Sequence, residues 1–291
     1  MSHQTQTLIA IESFIERIQN NQISNDQILR ELQELIPAFR IQYFPNVWYS
    51  QHIQVFIGLI HLVESYLKGQ SYDGLDMLLE HQVVVLRQLV QNSYSNILNE
   101  RHAFQLQELR NQQRLTKYIE RVLQQKSRSL IVRVDLKYPE PVQDLVNAQL
   151  FDQHMKVLRN RISNGDRCFS DLEGFVWALE QGGQTTGFHC HLMLIYDGHK
   201  HQNDFGLALA IGNYWQEITN GLGTFYTPNE SATKARFAEQ GNLALGRIER
   251  ANLQQFQNVV AYVTYFANPE KYDQRLRVKL SPGSRTFGTG Q

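Results

Sequence analysis

The spacing of hydrophobic residues changes once along the chain, near residue 127. Before that point apolar side chains recur every three or four positions, which is the period of an amphipathic helix. The first such stripe is formed by Leu8, Ile11, Phe14, Ile15 and Ile18. After that point segments with a period of two alternate with helical segments, so the chain is predicted to have a helical domain over 1–126 and a mixed domain over 127–291.

Within the first domain, boundary residues indicate several helices. Ser24 and Gln27 have the spacing of a capping box, so a helix is expected to begin there, and Pro37 is expected to end it. Further helices are predicted from about Ser50 to Lys68 and from Asp73 to Lys126, the latter with a break in the segment NSYSN. This domain carries no visible catalytic residues, and a helical packing module is its simplest interpretation. A helix that contacts DNA or forms a dimer is the alternative for the Gln- and Arg-rich segment from His102 to Lys126.

The second domain begins with the alternating strand SLIVRVDLKY. Leu130 and its even-numbered neighbours share one face of this strand, and Ile131, Arg133, Asp135 and Lys137 share the other. A helix over about 140–163, strands over 175–181 and up to 196, and helices over 205–218 and 253–267 are predicted to follow. This order favours the α+β class, with an antiparallel sheet that has helices packed on one face.

Composition adds few constraints on partners. The chain has 28 basic and 28 acidic residues, so no strong overall field points to nucleic acid or a membrane. Its two cysteines form no C-x-x-C pair, and the amino terminus has no basic leader, so a reducing cytoplasm without membrane attachment is expected. A local excess of positive charge near the carboxyl terminus suits phosphate contacts, although a solvated terminus is the alternative. Its cations are Lys271, Arg275, Arg277, Lys279 and Arg285.

The candidate chemistry centres on the strand GFHCHLMLIY. His189 and His191 flank one apolar residue, so both imidazoles point to the same face of a strand. Glu180 lies nine residues upstream, before the turn-rich GGQTTG, and a hairpin could bring its carboxylate beside the imidazoles. Nitrogen and oxygen ligands with open positions suit Mg²⁺ or Mn²⁺ if phosphate oxygens complete the shell, or Zn²⁺ if water does. A solvated strand face with two histidines is the alternative.

Two other features lie near these residues in the predicted sheet. Arg133 and Asp135 would share the surface of the metal ligands, where Asp135 either supports the site or pairs with Arg133 or Lys137. By contrast, His199 and His201 follow the turn signal Asp197-Gly198 and are expected in an exposed loop without a functional metal.

Tyr262 and Tyr265 lie three residues apart on the last predicted helix, so they share one edge of it. A tyrosine hydroxyl beside a metal-bound phosphodiester can attack phosphorus. Packing of both rings in an amphipathic helix is the alternative.

The order of these motifs resembles the HUH endonuclease superfamily, named for its His-hydrophobic-His triplet. Within that superfamily, four segments are similar to the inovirus-type replication-initiator (YfjJ-like) family over about residues 127–291. They are VRVDLKY, GFHCHLML, AYVTYFANPEKYDQRL and SRTFGTG. The resemblance implies a Rep-type fold with a five-stranded antiparallel sheet, and a replication initiator of a phage or prophage element.

For individual residues, the resemblance implies that His189, His191 and Glu180 hold Mg²⁺ or Mn²⁺. Tyr262 would attack DNA to leave a 5′-phosphotyrosine and a free 3′-hydroxyl that can prime rolling-circle synthesis. The implied partners are single-stranded DNA or an origin hairpin, and possible host replication proteins.

One position departs from the family pattern. Where many relatives carry Tyr-x-x-Lys, this chain has Tyr262-x-x-Tyr265, so Tyr265 is a second candidate nucleophile or a packing replacement, and Lys271 is a candidate for the missing charge. Two other functions therefore stay open: a catalytically silent DNA-binding regulator with the same fold, and a metal-dependent hydrolase of a small phosphodiester.

Overall fold

A computed structural model describes residues 4–182 and 187–290. The chain forms two compact units: residues 4–103 with 276–282, and residues 104–275 with 283–290. The division falls inside a helix, between residues 103 and 104. It therefore lies upstream of residue 127, the position at which the hydrophobic period changes.

The described residues contain nine α-helices and eight strands. The helices are α1 (Gln4–Gln19), α2 (Asn25–Gln42), α3 (Gln51–Leu67), α4 (Glu80–Asn92), α5 (Tyr94–Gln125), α6 (Ala148–Asn164), α7 (Asp204–Ile218), α8 (Ser231–Glu239) and α9 (Leu253–Val263). The strands are β1 (Trp48–Tyr49), β2 (Arg128–Lys137), β3 (Leu172–Gln181), β4 (Phe188–Asp197), β5 (Thr224–Tyr226), β6 (Gly246–Glu249), β7 (Val278–Lys279) and β8 (Phe287–Gly290).

The helices of the first unit pack around a core that includes the fully buried side chains of Ile11, Phe14, Leu32 and Phe56. The capping box at the start of α2 is confirmed, because Ser24 and Gln27 exchange hydrogen bonds between side chain and backbone. The predicted break in NSYSN is also confirmed, since α4 ends at Asn92 and α5 begins at Tyr94.

The prediction that Pro37 ends α2 is wrong. Pro37 lies inside α2, which continues to Gln42. Proline removes one backbone donor from a helix and crowds the carbonyl four residues earlier. The next turn nevertheless stays helical and buries Phe39, which is 2% exposed and packs edge to face against Phe56. Burial of this ring offsets the cost of the lost hydrogen bond.

A short segment from near the carboxyl terminus completes the first unit. β7 pairs antiparallel with β1, and the Ser50 N–H donates to the Arg277 carbonyl over 2.8 Å. The Arg277 guanidinium is buried and binds the Glu12 carboxylate over 2.5 Å. Residues 276–282 are therefore held in this unit by a strand pairing and a buried ion pair.

The second unit is built on an antiparallel sheet in the order β5-β2-β4-β3-β8, with β6 beside the first half of β2. The described strands thus number six in this sheet, one more than the family resemblance implies. In the centre of the sheet Asp135 is opposite His191, which is opposite Ala178. Two residues further along β3, Glu180 is opposite His189 of β4. The predicted shared face of these residues is confirmed.

Helices cover both faces of this sheet, so the prediction of helices on one face is wrong. On one face Tyr138 contacts Trp215 of α7, and Phe188 stacks on Phe151 of α6. The other face packs against α5 and α9. It is apolar over most of its length, with Ile131, Val176, Met193 and Ile195 in the core beside Val259 and Val263, and it is polar only at the end that carries the histidines.

Two helix boundaries also differ from the prediction. The segment Glu140–Leu145 forms a 3₁₀ turn, and α6 begins at Ala148, where the Asn147 side chain accepts the N–H of Leu150. The last helix ends at Val263 and is followed by a 3₁₀ turn over Thr264–Phe266. Tyr262 is therefore on α9, whereas Tyr265 is on the turn after it.

Candidate metal centre and tyrosine network

Three potential metal ligands meet at the polar end of the sheet. Nε2 of His189 and Nε2 of His191 each lie 3.2 Å from Oε2 of Glu180. One ligand atom from each residue lies within 4.8 Å of the others, and all three side chains are buried. The residues that join Glu180 to His189 include 183–186, so the predicted turn GGQTTG lies partly outside the described residues.

The outer ring nitrogens show which atoms carry hydrogen. Nδ1 of His191 lies 2.7 Å from Oδ1 of Asp135, and Nδ1 of His189 lies 3.1 Å from the Gly187 carbonyl oxygen. Carboxylate and carbonyl oxygens only accept, which favours a proton on each Nδ1. At His191 the Asp135 oxygen is nearer to Nδ1 than the Arg133 Nη2 donor, which lies 3.3 Å away. In neutral rings both Nε2 atoms then present lone pairs to Glu180. Histidines that bind metals are usually oriented in this way by an acceptor at the other nitrogen.

Three acceptors that face one another need a positive charge among them. A proton on His191 is one solution: burial alone would lower the pKa of His191, but the Asp135 and Glu180 carboxylates raise it. A divalent cation held by both Nε2 atoms and Oε2 of Glu180 is the other solution, and the donor set fits Mg²⁺, Mn²⁺ or Zn²⁺.

Lys271 occupies the other oxygen of Glu180. Its Nζ lies 2.8 Å from Oε1 and 3.3 Å from the centre of the Tyr265 ring. Burial alone would raise the pKa of Glu180, but its close contacts with the His189 and His191 rings and the charge of Lys271 hold this pKa well below the usual range. The carboxylate is therefore ionised, with Oε2 directed to the histidines.

Arg133 connects the metal ligands to Tyr262. Its guanidinium makes two bonds to Asp135, of 2.9 and 3.2 Å, and its Nη1 donates to the Tyr262 hydroxyl oxygen over 2.8 Å. Burial alone would raise the pKa of Asp135, but the bonds with His191 and Arg133 lower it to about 2. Asp135 thus both orients His191 and pairs with Arg133, so the two roles weighed for it coexist.

The two tyrosines have different surroundings. Burial raises the pKa of Tyr262 above its usual value, while Arg133 opposes the rise because its positive charge favours the phenolate. Tyr265 is 44% exposed, and its hydroxyl has no hydrogen-bond partner among the described residues. Its ring contacts His191 and Lys271, so it packs directly beside the candidate ligands.

A cleft of about 820 Å³ opens next to this network. Arg133, Asp135, Tyr262 and Tyr265 contribute to its wall, together with Tyr226, an exposed residue of β5 opposite Asp135. Tyr226 was not among the residues predicted from the sequence, although the short aromatic segment TFY after GLG is typical of a strand. Glu180, His189 and His191 are not among the lining residues and lie deeper in the sheet.

The basic residues predicted to contact phosphate are in dissimilar places. Arg275 is buried against the Tyr272 ring, and Arg277 is buried on Glu12, so neither guanidinium is open to a phosphate. Lys279 lies over the Trp48 ring. Arg285 is exposed. Only Lys271 of this set joins the histidine cluster.

The second His-x-His sequence is in a turn, as predicted. His199 is exposed, and its Nε2 lies 2.8 Å from the Ser127 hydroxyl oxygen. His201 lies on the Tyr196 ring. Among residues 4–182 and 187–290, the group Glu180, His189 and His191 is the one whose ligand atoms converge on a possible metal position.

The fold and site define an α+β protein with a histidine-carboxylate cluster at one end of an antiparallel sheet. Residues 90–290 match the protein family described as the YagK/YfjJ C-terminal domain, and the chain belongs to this family. No curated protein and no solved structure matches the chain. Over the described ranges, no helix has both the length and the apolar character needed to span a membrane.

Proposed function

We propose that this protein is a metal-dependent HUH-type nickase that cuts and rejoins single-stranded DNA, as the replication initiator of a phage or prophage element. The observation that carries the proposal is the convergence of two Nε2 atoms and one carboxylate oxygen, joined through Asp135 and Arg133 to the Tyr262 hydroxyl. Motif order along the chain supports the same assignment, because Glu180, His189-Cys190-His191 and Tyr262 follow one another as in that superfamily.

Each residue has a distinct role in this proposal. His189, His191 and Glu180 hold the cation, and Asp135 fixes the ring of His191 through Nδ1. When bound, the cation supplies neutralisation of charge on the scissile phosphate. Arg133 directs the Tyr262 oxygen by donating to it, which leaves the tyrosine proton free to depart. Lys271 supplies a second positive charge beside Glu180, and so substitutes for the lysine of the family pattern Tyr-x-x-Lys, whose position is Tyr265 in this chain.

The reaction is a transesterification and consumes no co-reactant. The Tyr262 oxygen forms a bond to phosphorus, and the bond from phosphorus to the 3′-oxygen breaks. The 3′-oxygen takes up a proton, and Tyr262 loses one, so the products are a 5′-phosphotyrosine and a free 3′-hydroxyl. The reverse reaction, with a 3′-hydroxyl as nucleophile, rejoins the strand.

The test is covalent trapping on single-stranded DNA. A pool of random-sequence oligonucleotides labelled at the 3′ end is incubated with the protein in Mn²⁺, Mg²⁺ or EDTA and then separated on a denaturing gel. We expect a labelled band at the mass of the protein with Mn²⁺ and none with EDTA. Absence of this band with every divalent cation would overturn the proposal.

A catalytically silent DNA-binding regulator is the second candidate, and one observation favours it. Lys271 already pairs with Glu180, and a protonated His191 donates to both Glu180 and Asp135, so each carboxylate of the cluster has a cationic partner without a metal. This candidate predicts DNA binding that is unchanged by EDTA and calorimetric titrations without Mn²⁺ binding. A metal-dependent hydrolase of small phosphodiesters would instead bind Mn²⁺ and form no adduct with DNA.

A further inference from the structure

One face of α5 in the second unit carries four cations and no acid. Arg110, Arg114, Lys117 and Arg121, here called the α5 stripe, are spaced by four, three and four residues. At 3.6 residues per turn, these four positions fall within about 60° of arc. The only acids of this part of the helix are Glu108, which is buried, and Glu120, which is about 90° from the centre of the stripe.

The charges of the α5 stripe are available to a ligand. All four side chains are exposed, and within the described residues none of them makes an ion pair. Some exposed cations elsewhere in this unit do so: Arg161 binds Asp166, and Arg167 binds Glu217. Four unpaired cations in a row repel one another, which costs free energy unless an anionic partner neutralises them.

A cleft of about 370 Å³ adjoins the stripe at the edge strand β8. Arg114, Arg285 and Thr289 of β8 all contribute to its wall. Gln107 and Asn111 add amide groups to its wall. Two cations, two amides and a hydroxyl around a space of this size suit a single nucleotide rather than a stacked and paired duplex.

We propose that the α5 stripe and Arg285 bind the phosphate backbone of single-stranded DNA, with one unpaired nucleotide in the cleft beside Arg114. This inference rests on the proposed function and names the surface that holds the strand. From Arg110 to Arg121 the stripe extends about 16 Å along the helix axis, enough for several successive phosphates. The chain as a whole has no net charge, so the attraction is local to this face.

The experiment compares two triple variants of the full chain. The stripe variant carries Arg110→Gln, Arg114→Gln and Lys117→Gln. The control carries Arg30→Gln, Lys68→Gln and Lys156→Gln, three exposed cations on other elements that make no ion pair with a described residue. Both variants lose three positive charges. Equal urea midpoints for both variants and the unmodified protein establish that the fold is kept.

The readout is the salt dependence of binding to a fluorescein-labelled single-stranded 20-mer, measured by anisotropy. Each phosphate contact contributes about 0.7 to the log-log slope, so the stripe variant should lose about 2 units of slope. At 0.1 M salt that change corresponds to roughly 100-fold weaker binding. The control should keep the slope of the unmodified protein.

Three results would overturn the inference: equal slopes for stripe and control variants, no DNA binding by the unmodified protein, or binding of anionic lipid vesicles without binding of DNA. The trapping assay distinguishes this failure from failure of the proposed function. An adduct in the unmodified protein with equal slopes rejects the stripe alone. A reduced slope in the stripe variant, with no adduct in any protein, supports the stripe and rejects the nickase.

Discussion

The two oxygens of Glu180 serve different partners, and this division determines what each substitution in the site removes. Oε1 binds Lys271, while Oε2 is shared by the two imidazoles. A change at a histidine therefore removes a ligand but leaves the Lys271 pair in place. A change at Glu180 removes both, and leaves an unpaired ammonium in a buried position.

Replacing His189 or His191 with alanine should abolish Mn²⁺ binding in isothermal titration calorimetry. Because both rings are buried and hydrogen-bonded, each replacement should also lower the free energy of unfolding by about 1–3 kcal/mol. His199→Ala is the matched control, since His199 is exposed and outside the cluster. Unchanged Mn²⁺ affinity in the double histidine variant would place the metal site elsewhere.

Tyr262→Phe should eliminate the covalent adduct, whereas Tyr265→Phe should keep it. The phenylalanine at 262 loses only the oxygen that Arg133 holds, so packing against the core is retained. Tyr265→Lys should raise adduct yield, because a second cation would then stand beside the phosphate. Mass spectrometry of the tryptic peptide linked to DNA identifies the residue, and an adduct at Tyr265 or Tyr272 would contradict the assignment.

At the scale of secondary structure, α2 contains a proline in its interior that lowers the stability of the helix. Pro37 is exposed in the helix interior and leaves the Gln33 carbonyl without its helical donor. Pro37→Ala should therefore raise the free energy of unfolding by about 1–3 kcal/mol, partly offset by the more flexible unfolded chain. Urea denaturation measures the change. Glu34→Ala, on the same exposed side of α2, should stay within about 0.5 kcal/mol, and a Pro37→Ala variant less stable than the unmodified protein would contradict this prediction.

Tyr118 of α5 connects two strands of the sheet. Its hydroxyl accepts the Phe175 N–H over 2.9 Å and donates to the Gly290 carbonyl. Tyr118→Phe should therefore cost about 1–3 kcal/mol at pH 8, because a buried donor and acceptor both lose their partner.

This contribution of Tyr118 should disappear at alkaline pH. Burial raises the pKa of Tyr118 to about 12, above the value near 10 of an unfolded tyrosine. The neutral form is favoured in the folded protein, so the stabilisation is complete below pH 10 and is lost as the pH rises to 12. The stability difference between the unmodified protein and Tyr118→Phe should shrink by up to about 2.7 kcal/mol over that range. A difference that stays constant would rule out this origin.

Local patterns were sufficient to predict the strands that carry the site, because alternation within one strand determines which side chains share a face. Asp135, Glu180, His189 and His191 were grouped correctly on that basis. The bond between Arg133 and Tyr262 joins residues 129 positions apart, and no period in the sequence encodes such a contact. The second helical layer was missed for a similar reason: Val176 and Met193 lie on the same strand face as Glu180 and the histidines, and α5 and α9 cover them.

At the scale of the whole molecule, the ion pair between Arg277 and Glu12 joins residues 265 positions apart within the first unit. Arg277→Met should lower the free energy of unfolding of that unit by about 3–5 kcal/mol, since it leaves the Glu12 carboxylate buried without its main cation. Hydrogen exchange of the α1 amides measures the loss. Adding Glu12→Leu to Arg277→Met should recover most of it, and a double variant as unstable as the single one would contradict an electrostatic cause.

The position of residues 276–282 also sets an order for folding during synthesis. Residues 4–103 leave the ribosome first, but β1 lacks the strand β7 and Glu12 lacks the Arg277 guanidinium until residues 276–282 have followed. Almost all of the second unit has been synthesised by then, so the second unit can fold before the first unit is complete. The amino-terminal unit is therefore the last to be completed. In a nascent chain stopped at residue 275, β1 would have an unpaired edge because β7 would be missing.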